Sequence, residues 1–236
     1  MVAAPRQLSL SVHLDDHATF DNYFSVPGSS NEQARQALQD LDSSGFVYLW
    51  GSLGTGRSHL LQALCRSFTG TWMYLPLAEL VDDDPGSVLE GLESLELLAL
   101  DDLDAVSDRP EWAEQLFHLY NRIQQQGHAL AISADISPAE IQTPLADLKS
   151  RLTAMHVYRL QQLKDKQLQD ALRLRAQLRG FELPQAVAEY LLRHFPRGIK
   201  QQIAFLDQLD IGSLEAKRKL SIPLVKELLI QSEKTP

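Results

Sequence analysis

Three short apolar runs, each ending at a glycine or an aspartate, constrain the fold of this chain more than any other feature. Phe46-Val47-Tyr48-Leu49-Trp50 stops at Gly51, Leu95-Glu96-Leu97-Leu98-Ala99-Leu100 precedes Asp101, and Ala129-Leu130-Ala131-Ile132-Ser133 comes just before Asp135. Runs of this length and composition read as strands buried on both faces. Helix-patterned stretches separate them, and buried strands alternating with helices predict an α/β domain with a parallel sheet between helical layers. Ahead of the first strand, Ala34, Ala37, Leu38 and Leu41 recur at helical spacing, with Ser29, Ser30 and Asn31 available as caps.

Beyond Leu160 the pattern changes to helix throughout. The spacing predicts helices over Leu163 to Leu178, Pro184 to Phe195, Gly198 to Leu209 and Ile222 to Ile230, with Gly180 as a stop and Pro184 and Pro223 near helix starts. Charge changes at the same place. Residues 1–160 carry 9 basic and 22 acidic side chains, whereas residues 161–236 carry 13 basic and 9 acidic ones. The predicted organisation is a tail at 1–17, a nucleotide-binding αβα domain at 18–160 and a small all-helical lid domain at 161–236. A net charge of −9 opposes general attraction to nucleic acid. The single Cys65 can form neither an internal disulfide nor a zinc cage. No stretch is apolar enough for a membrane span, and Met1 to Arg6 has no signal-peptide core, so a cytoplasmic location is expected.

The first strand runs into Gly51-Ser52-Leu53-Gly54-Thr55-Gly56-Arg57-Ser58, which has the spacing of a phosphate loop except that arginine stands in the lysine position. Glycines at 51, 54 and 56 let backbone N–H groups turn toward a polyphosphate, and the following helix points its positive end at the same oxygens. Ser58 would ligate Mg²⁺, and His59 lies beside the loop. A guanidinium is bulkier than an ammonium and cannot act as a compact point charge between phosphates, so binding is expected to survive better than hydrolysis. The alternative is an ordinary glycine turn between strand and helix. The Asp101-Asp102 pair at the end of the next strand puts carboxylates at the same sheet edge. Asp101 is the expected partner of Mg²⁺-bound water, against the alternative of a merely acidic loop that includes Asp104 and Asp108.

These pieces, with Ile132-Ser133-Ala134-Asp135, Leu148-Lys149-Ser150-Arg151-Leu152 and the helical C-terminal part, resemble the AAA+ ATPases. Thr19-Phe20-Asp21-Asn22-Tyr23-Phe24 and Arg57-Ser58-His59-Leu60-Leu61-Gln62-Ala63 extend the resemblance, over about residues 18–210, to the bacterial replication-initiator group typified by DnaA. The resemblance implies an arginine finger at Arg151, acting on a neighbour's ATP, and a sensor position at Asp135, where a turn or cap aspartate is the local alternative. It places Lys200 where the lid carries its sensor arginine, and Tyr23, Phe24 and Val26 in the adenine pocket, although core aromatics would look the same. Asp102 takes the place of the glutamate that orients the attacking water, one methylene short. DnaA's basic DNA-reading domain finds no counterpart in these residues. In the tail, Gln7-Leu8-Ser9-Leu10-Ser11-Val12 resembles a sliding-clamp-binding motif, with Gln7 at the rim of a groove and Leu8, Leu10 and Val12 as apolar anchors beside Ser9. A frayed edge strand docking on its own domain has the same alternation.

The resemblance therefore implies a negative regulator of replication initiation. It would hold ADP or another nucleoside diphosphate with Mg²⁺, dock on the sliding clamp (β subunit) of DNA polymerase III, and promote hydrolysis of DnaA-bound ATP through Arg151. Homodimers or larger homo-oligomers fit the plan, and DNA would be met only through the clamp. Two other readings are a self-sufficient P-loop ATPase, disfavoured by Arg57 and Asp102, and a helicase-loader-like adaptor that touches single-stranded DNA with its modestly basic lid.

Overall fold

The computed structural model describes residues 18–194, 202–203, 205–206, 208–209 and 220–232. The chain divides into two compact units, one of Ala18–Phe20 with Pro27–Gln161 and the other of Asp21–Val26 with the described residues from Gln162 onward.

The first unit begins with α1 (Ser30–Gln39), which starts where Ser29 Oγ accepts the Glu32 N–H at 3.2 Å, while the Glu32 carboxylate accepts the Gly28 N–H. There follow β1 (Phe46–Trp50), α2 (Arg57–Ser67), β2 (Trp72–Pro76), α3 (Pro85–Leu89), β3 (Leu97–Asp101), α4 (Pro110–Gln126), β4 (Ala129–Ala134), α5 (Ala146–Thr153) and β5 (His156–Arg159). The strands form one parallel sheet in the order β2-β3-β4-β1-β5. All three strands expected from the sequence are present, and two more flank them. Strand β2 pairs with β3, and β5 extends the sheet beyond β1 as an exposed edge.

The central strands bury their residues on both faces, which is why they read as unbroken apolar runs rather than as alternating ones. Helix α4 lays Trp112, Ala113, Leu116, Leu119, Tyr120 and Ile123 into the core and ends at Gly127, whose φ of 72° is the left-handed closure that glycine accepts readily. Helix α2 is buried over most of its surface, from Leu60 through Cys65, and burial pushes the Cys65 thiol up to about 12. Register aligns the sheet's carboxyl edge. Trp50 lies opposite Ala134, and Ile132 opposite Leu100, so the loops after β1, β3 and β4 emerge side by side. In open α/β sheets that crevice is where ligands bind.

The second unit is helical, with α6 (Asp165–Leu178), α7 (Gln185–His194) and α8 (Ile222–Ser232). Its own core joins Leu172, Ala176, Val187, Leu191, Phe205, Leu206, Leu209, Leu224 and Val225. Among the described residues no helix is long and apolar enough to cross a membrane.

Trp112 is 2% exposed, so Trp112→Ala should cost about 3–5 kcal/mol in urea unfolding of the full chain. Leu178 is 53% exposed, and Leu178→Ala should stay within about 0.5 kcal/mol of the parent. Equal losses from the two changes would contradict this placement of the core.

Candidate functional site

The loop after β1 is built by glycine where side chains would not fit. A Cβ on Gly51 would stand 2.5 Å from the Leu160 carbonyl oxygen, and the Gly51 N–H donates to the Ala134 carbonyl at 3.3 Å. Gly54 and Gly56 take φ of 85° and 89°, conformations L side chains rarely adopt. Thr55 closes the turn, its hydroxyl donating to the Ser52 carbonyl at 2.9 Å, while Leu53 at the tip is 83% exposed. Gly56 is the N-cap of α2 and brings no capping side chain, so the helix start presents backbone N–H groups in the way that suits an anion. Ser58 is half-buried in the first turn, and His59 Nε2 lies 2.9 Å from the Thr19 carbonyl oxygen.

Arg57 turns away from the loop tip and into the fold. Its side chain is only 7% exposed. Nη1 donates to the Gly51 carbonyl at 2.7 Å and pairs with Asp135 Oδ1, while Nη2 donates to Asp102 Oδ1 at 3.1 Å. The residue in the phosphate-loop cation position thus ties its own loop to the ends of β3 and β4. A buried guanidinium is tolerated only when its charge and its fixed fork of donors are matched, and two carboxylates and a carbonyl do this here.

Asp101, 2% exposed, is pinned between two hydroxyls. Tyr74 Oη donates to Oδ2 at 2.5 Å, and Ser133 Oγ donates to Oδ1. Burial, and then the Asp101 charge, push the Tyr74 phenol well above its ordinary range, which keeps it a donor. Ser133 Oγ also accepts the Asp102 N–H at 3.1 Å. Asp102 itself has φ 56° and ψ 52°, the one positive φ outside glycine among the described residues. Aspartate adopts this conformation more readily than most side chains, and here it swings the carboxyl toward Arg57. Burial and the neighbouring Asp101 charge raise the Asp102 carboxyl from 3.8 to about 6, against the opposing pull of Arg57. Asp135, half exposed, receives the Arg57 contact on its side chain, and its N–H donates to Asp104 Oδ1 at 2.9 Å.

The structure therefore gathers Gly51, Arg57, Asp101, Asp102 and Asp135 at one edge of the sheet. Arg151 stands elsewhere on the first unit, exposed on α5, with its guanidinium carbon 5.9 Å over the ring of Tyr120. Tyr23, Phe24 and Val26 belong to the second unit, with Tyr23 buried. Gln7, Leu8, Ser9, Leu10, Val12 and Lys200 lie outside the described residues. Sequence reasoning missed Tyr74 and the double role of Ser133. Ser133 carried a signal, as a lone hydroxyl closing an apolar run. Tyr74 had none without β2. Among the described residues no group of three or more His, Cys, Asp or Glu forms a metal cage. A divalent ion here would depend on phosphate oxygens, with Ser58 and, through water, Asp101 as protein partners, an arrangement that suits Mg²⁺.

Residues 76–158 match the family model of the bacterial DnaA ATPase domain, and residues 165–229 match that of the Hda lid domain. Among solved structures, domain III of the Thermotoga maritima replication initiation protein DnaA aligns at a TM-score of 0.73 and 19% identity, covering 93% of this chain and 98% of that one. AMPPCP-bound DnaA from Aquifex aeolicus aligns at 0.67 and 22% identity, covering 87% and 70%. The Thermotoga maritima RuvB Holliday junction branch migration motor aligns at 0.66 and 16% identity, covering 90% and 71%. These likenesses show the fold, an AAA+ α/β unit of DnaA type.

The raised Asp102 carboxyl has a sign that can be checked. A folded value of about 6 against an ordinary 3.8 means that its stabilising share is complete below pH 3.8 and is lost as pH rises through 6. Asp102→Asn should therefore gain stability relative to the parent between pH 4 and pH 7.5 in denaturant titrations. A variant that instead falls progressively behind the parent over that interval would mean that pairing with Arg57 outweighs burial.

Proposed function

Because the chain is an Hda/DnaA-like AAA+ protein, we propose that it regulates a DnaA-type initiator by holding a nucleoside diphosphate itself and acting on ATP held by its partner. The observation that carries the reading is the unequal state of two arginines. Arg57, in the loop, is buried and engaged by Asp102 and Asp135, whereas Arg151 is exposed on α5 and, among the described residues, is paired with no carboxylate.

In this reading the Gly51–Ser58 backbone and the start of α2 grip the phosphates, and Tyr23, Phe24, Val26 and Lys200 keep the base-binding and sensor roles that the resemblance implies. Mg²⁺, when bound, would shield phosphate charge between Ser58 and the water held by Asp101. Asp102 is poorly suited to activate water, since it is short and its carboxylate accepts from Arg57. Own turnover is therefore weak. Arg151 reaches a triphosphate on the initiator, where an inserted guanidinium stabilises charge developing in the transition state and is worth about 10³ to 10⁵ in rate. Its packing over Tyr120 gives the side chain a preferred direction at little cost in hydrogen bonds. The segment Gln7 to Val12 docks on the sliding clamp, bringing Arg151 to initiators near loaded clamps.

Reconstitution of initiator, DNA-loaded clamp and this protein tests the assignment. Arg151→Ala should abolish stimulation of initiator ATP hydrolysis while nucleotide and clamp binding persist, and loss of binding instead would make the residue structural. Replacing Gln7 and Leu8 together by Ala should abolish retention on immobilised clamp without moving the melting temperature. Unchanged retention would remove the tail from the account.

A further inference from the structure

The basic side chain of a phosphate loop is useful to a ligand only if it is free to face it. Arg57 is committed elsewhere on every recorded contact: Gly51 carbonyl and Asp135 on Nη1, Asp102 on Nη2. The two carboxylates come from the ends of different strands, β3 and β4, and each takes a different nitrogen of the fork. Asp102 reaches its nitrogen from a left-handed backbone, anchored by the bond from its own N–H to Ser133. Asp135 is braced by Asp104, which accepts its backbone N–H. Four aspartates, 101, 102, 104 and 135, thus crowd the edge where the loop opens, around a guanidinium that two of them hold.

We propose that Asp102 and Asp135 are positioning residues that latch Arg57 into the floor of the loop, away from bound phosphates, and so bias the site toward ligands with fewer phosphate charges. The inference rests on the reading of residues 51–58 as a nucleotide site and supplies its specificity. Backbone N–H groups and the start of α2 attract any polyphosphate alike. Each further phosphate adds negative charge to an edge already rich in carboxylates, while the nearest cation neutralises the protein instead of the ligand. Drawing Arg57 out would leave Asp102, two-thirds buried, without its partner. Asp135 is the looser half of the latch because its side chain is 52% exposed.

The test compares ADP and ATP binding, each with Mg²⁺, by calorimetry on the full chain. The parent should bind ADP more tightly than ATP. Asp135→Asn, at a half-exposed side chain, should shift the affinity ratio toward ATP by about tenfold, the change expected from freeing one charge-assisted hydrogen bond for the ligand. Two controls separate a latch from bulk charge. Asp104→Asn removes a carboxylate charge from the same edge while its amide oxygen still offers an acceptor to the Asp135 N–H, and should shift the ratio by less than about threefold, the size of a surface-charge effect. Combining Arg57→Gln with Asp135→Asn should cancel the shift seen in Asp135→Asn alone, since the effect runs through the guanidinium. An unmoved ratio in Asp135→Asn, an equal shift from Asp104→Asn, or a shift that survives alongside Arg57→Gln overturns the latch while the nucleotide reading stands. Absence of binding by parent and variants alike overturns both.

Discussion

One buried guanidinium organises the carboxyl edge of this sheet. Arg57 joins the loop after β1, through the Gly51 carbonyl, to the residues that follow β3 and β4, through Asp102 and Asp135. Strand pairing already sets these three loops side by side, but pairing stops at the last ladder residue and leaves the loops themselves unfixed. A charged fork with three matched acceptors fixes them. The arrangement holds because each group alone is costly to bury and together they compensate one another. Asp101 is fixed by a second, neutral device, two hydroxyl donors from β2 and β4, and Ser133 links the devices by donating to Asp101 and accepting from Asp102.

On the proposed function, this commitment of Arg57 separates binding from chemistry. A phosphate cradle needs backbone N–H groups and a helix start, and glycines at 51, 54 and 56 supply both. Hydrolysis needs in addition a cation on the far phosphates and a base that places water, and the candidates for both roles are paired with each other. The proposed regulatory role asks for no more than that: a stable frame, an exposed arginine on α5 and a tail that finds the clamp.

Much of the frame was legible in the sequence because its signals are chemical and local. Doubly buried strands must be apolar throughout, so β1, β3 and β4 stood out, and the glycine spacing after β1 has few other uses. Strand β5 could not be read, because His156-Val157-Tyr158-Arg159 is an exposed edge with no apolar run, and its place is set by pairing with β1 alone. Strand β2 follows Gly70-Thr71 and turns straight into a short helical turn after Pro76, which masks its five residues. In the site, the sequence marked Arg57, Asp101, Asp102 and Asp135 separately. It did not reveal that Arg57 faces inward, since that depends on the left-handed backbone of Asp102 and on an alignment of strand ends known only after folding. Tyr74, from the unread strand, was hidden for the same reason.

The central claim is that this protein contributes a cation to a partner's triphosphate and performs little chemistry of its own. Steady-state ATP hydrolysis by the purified full chain, with Mg²⁺ and without clamp or initiator, measures it most directly. The account predicts turnover at or near the background of the assay, and brisk multiple-turnover hydrolysis by the isolated chain would contradict it.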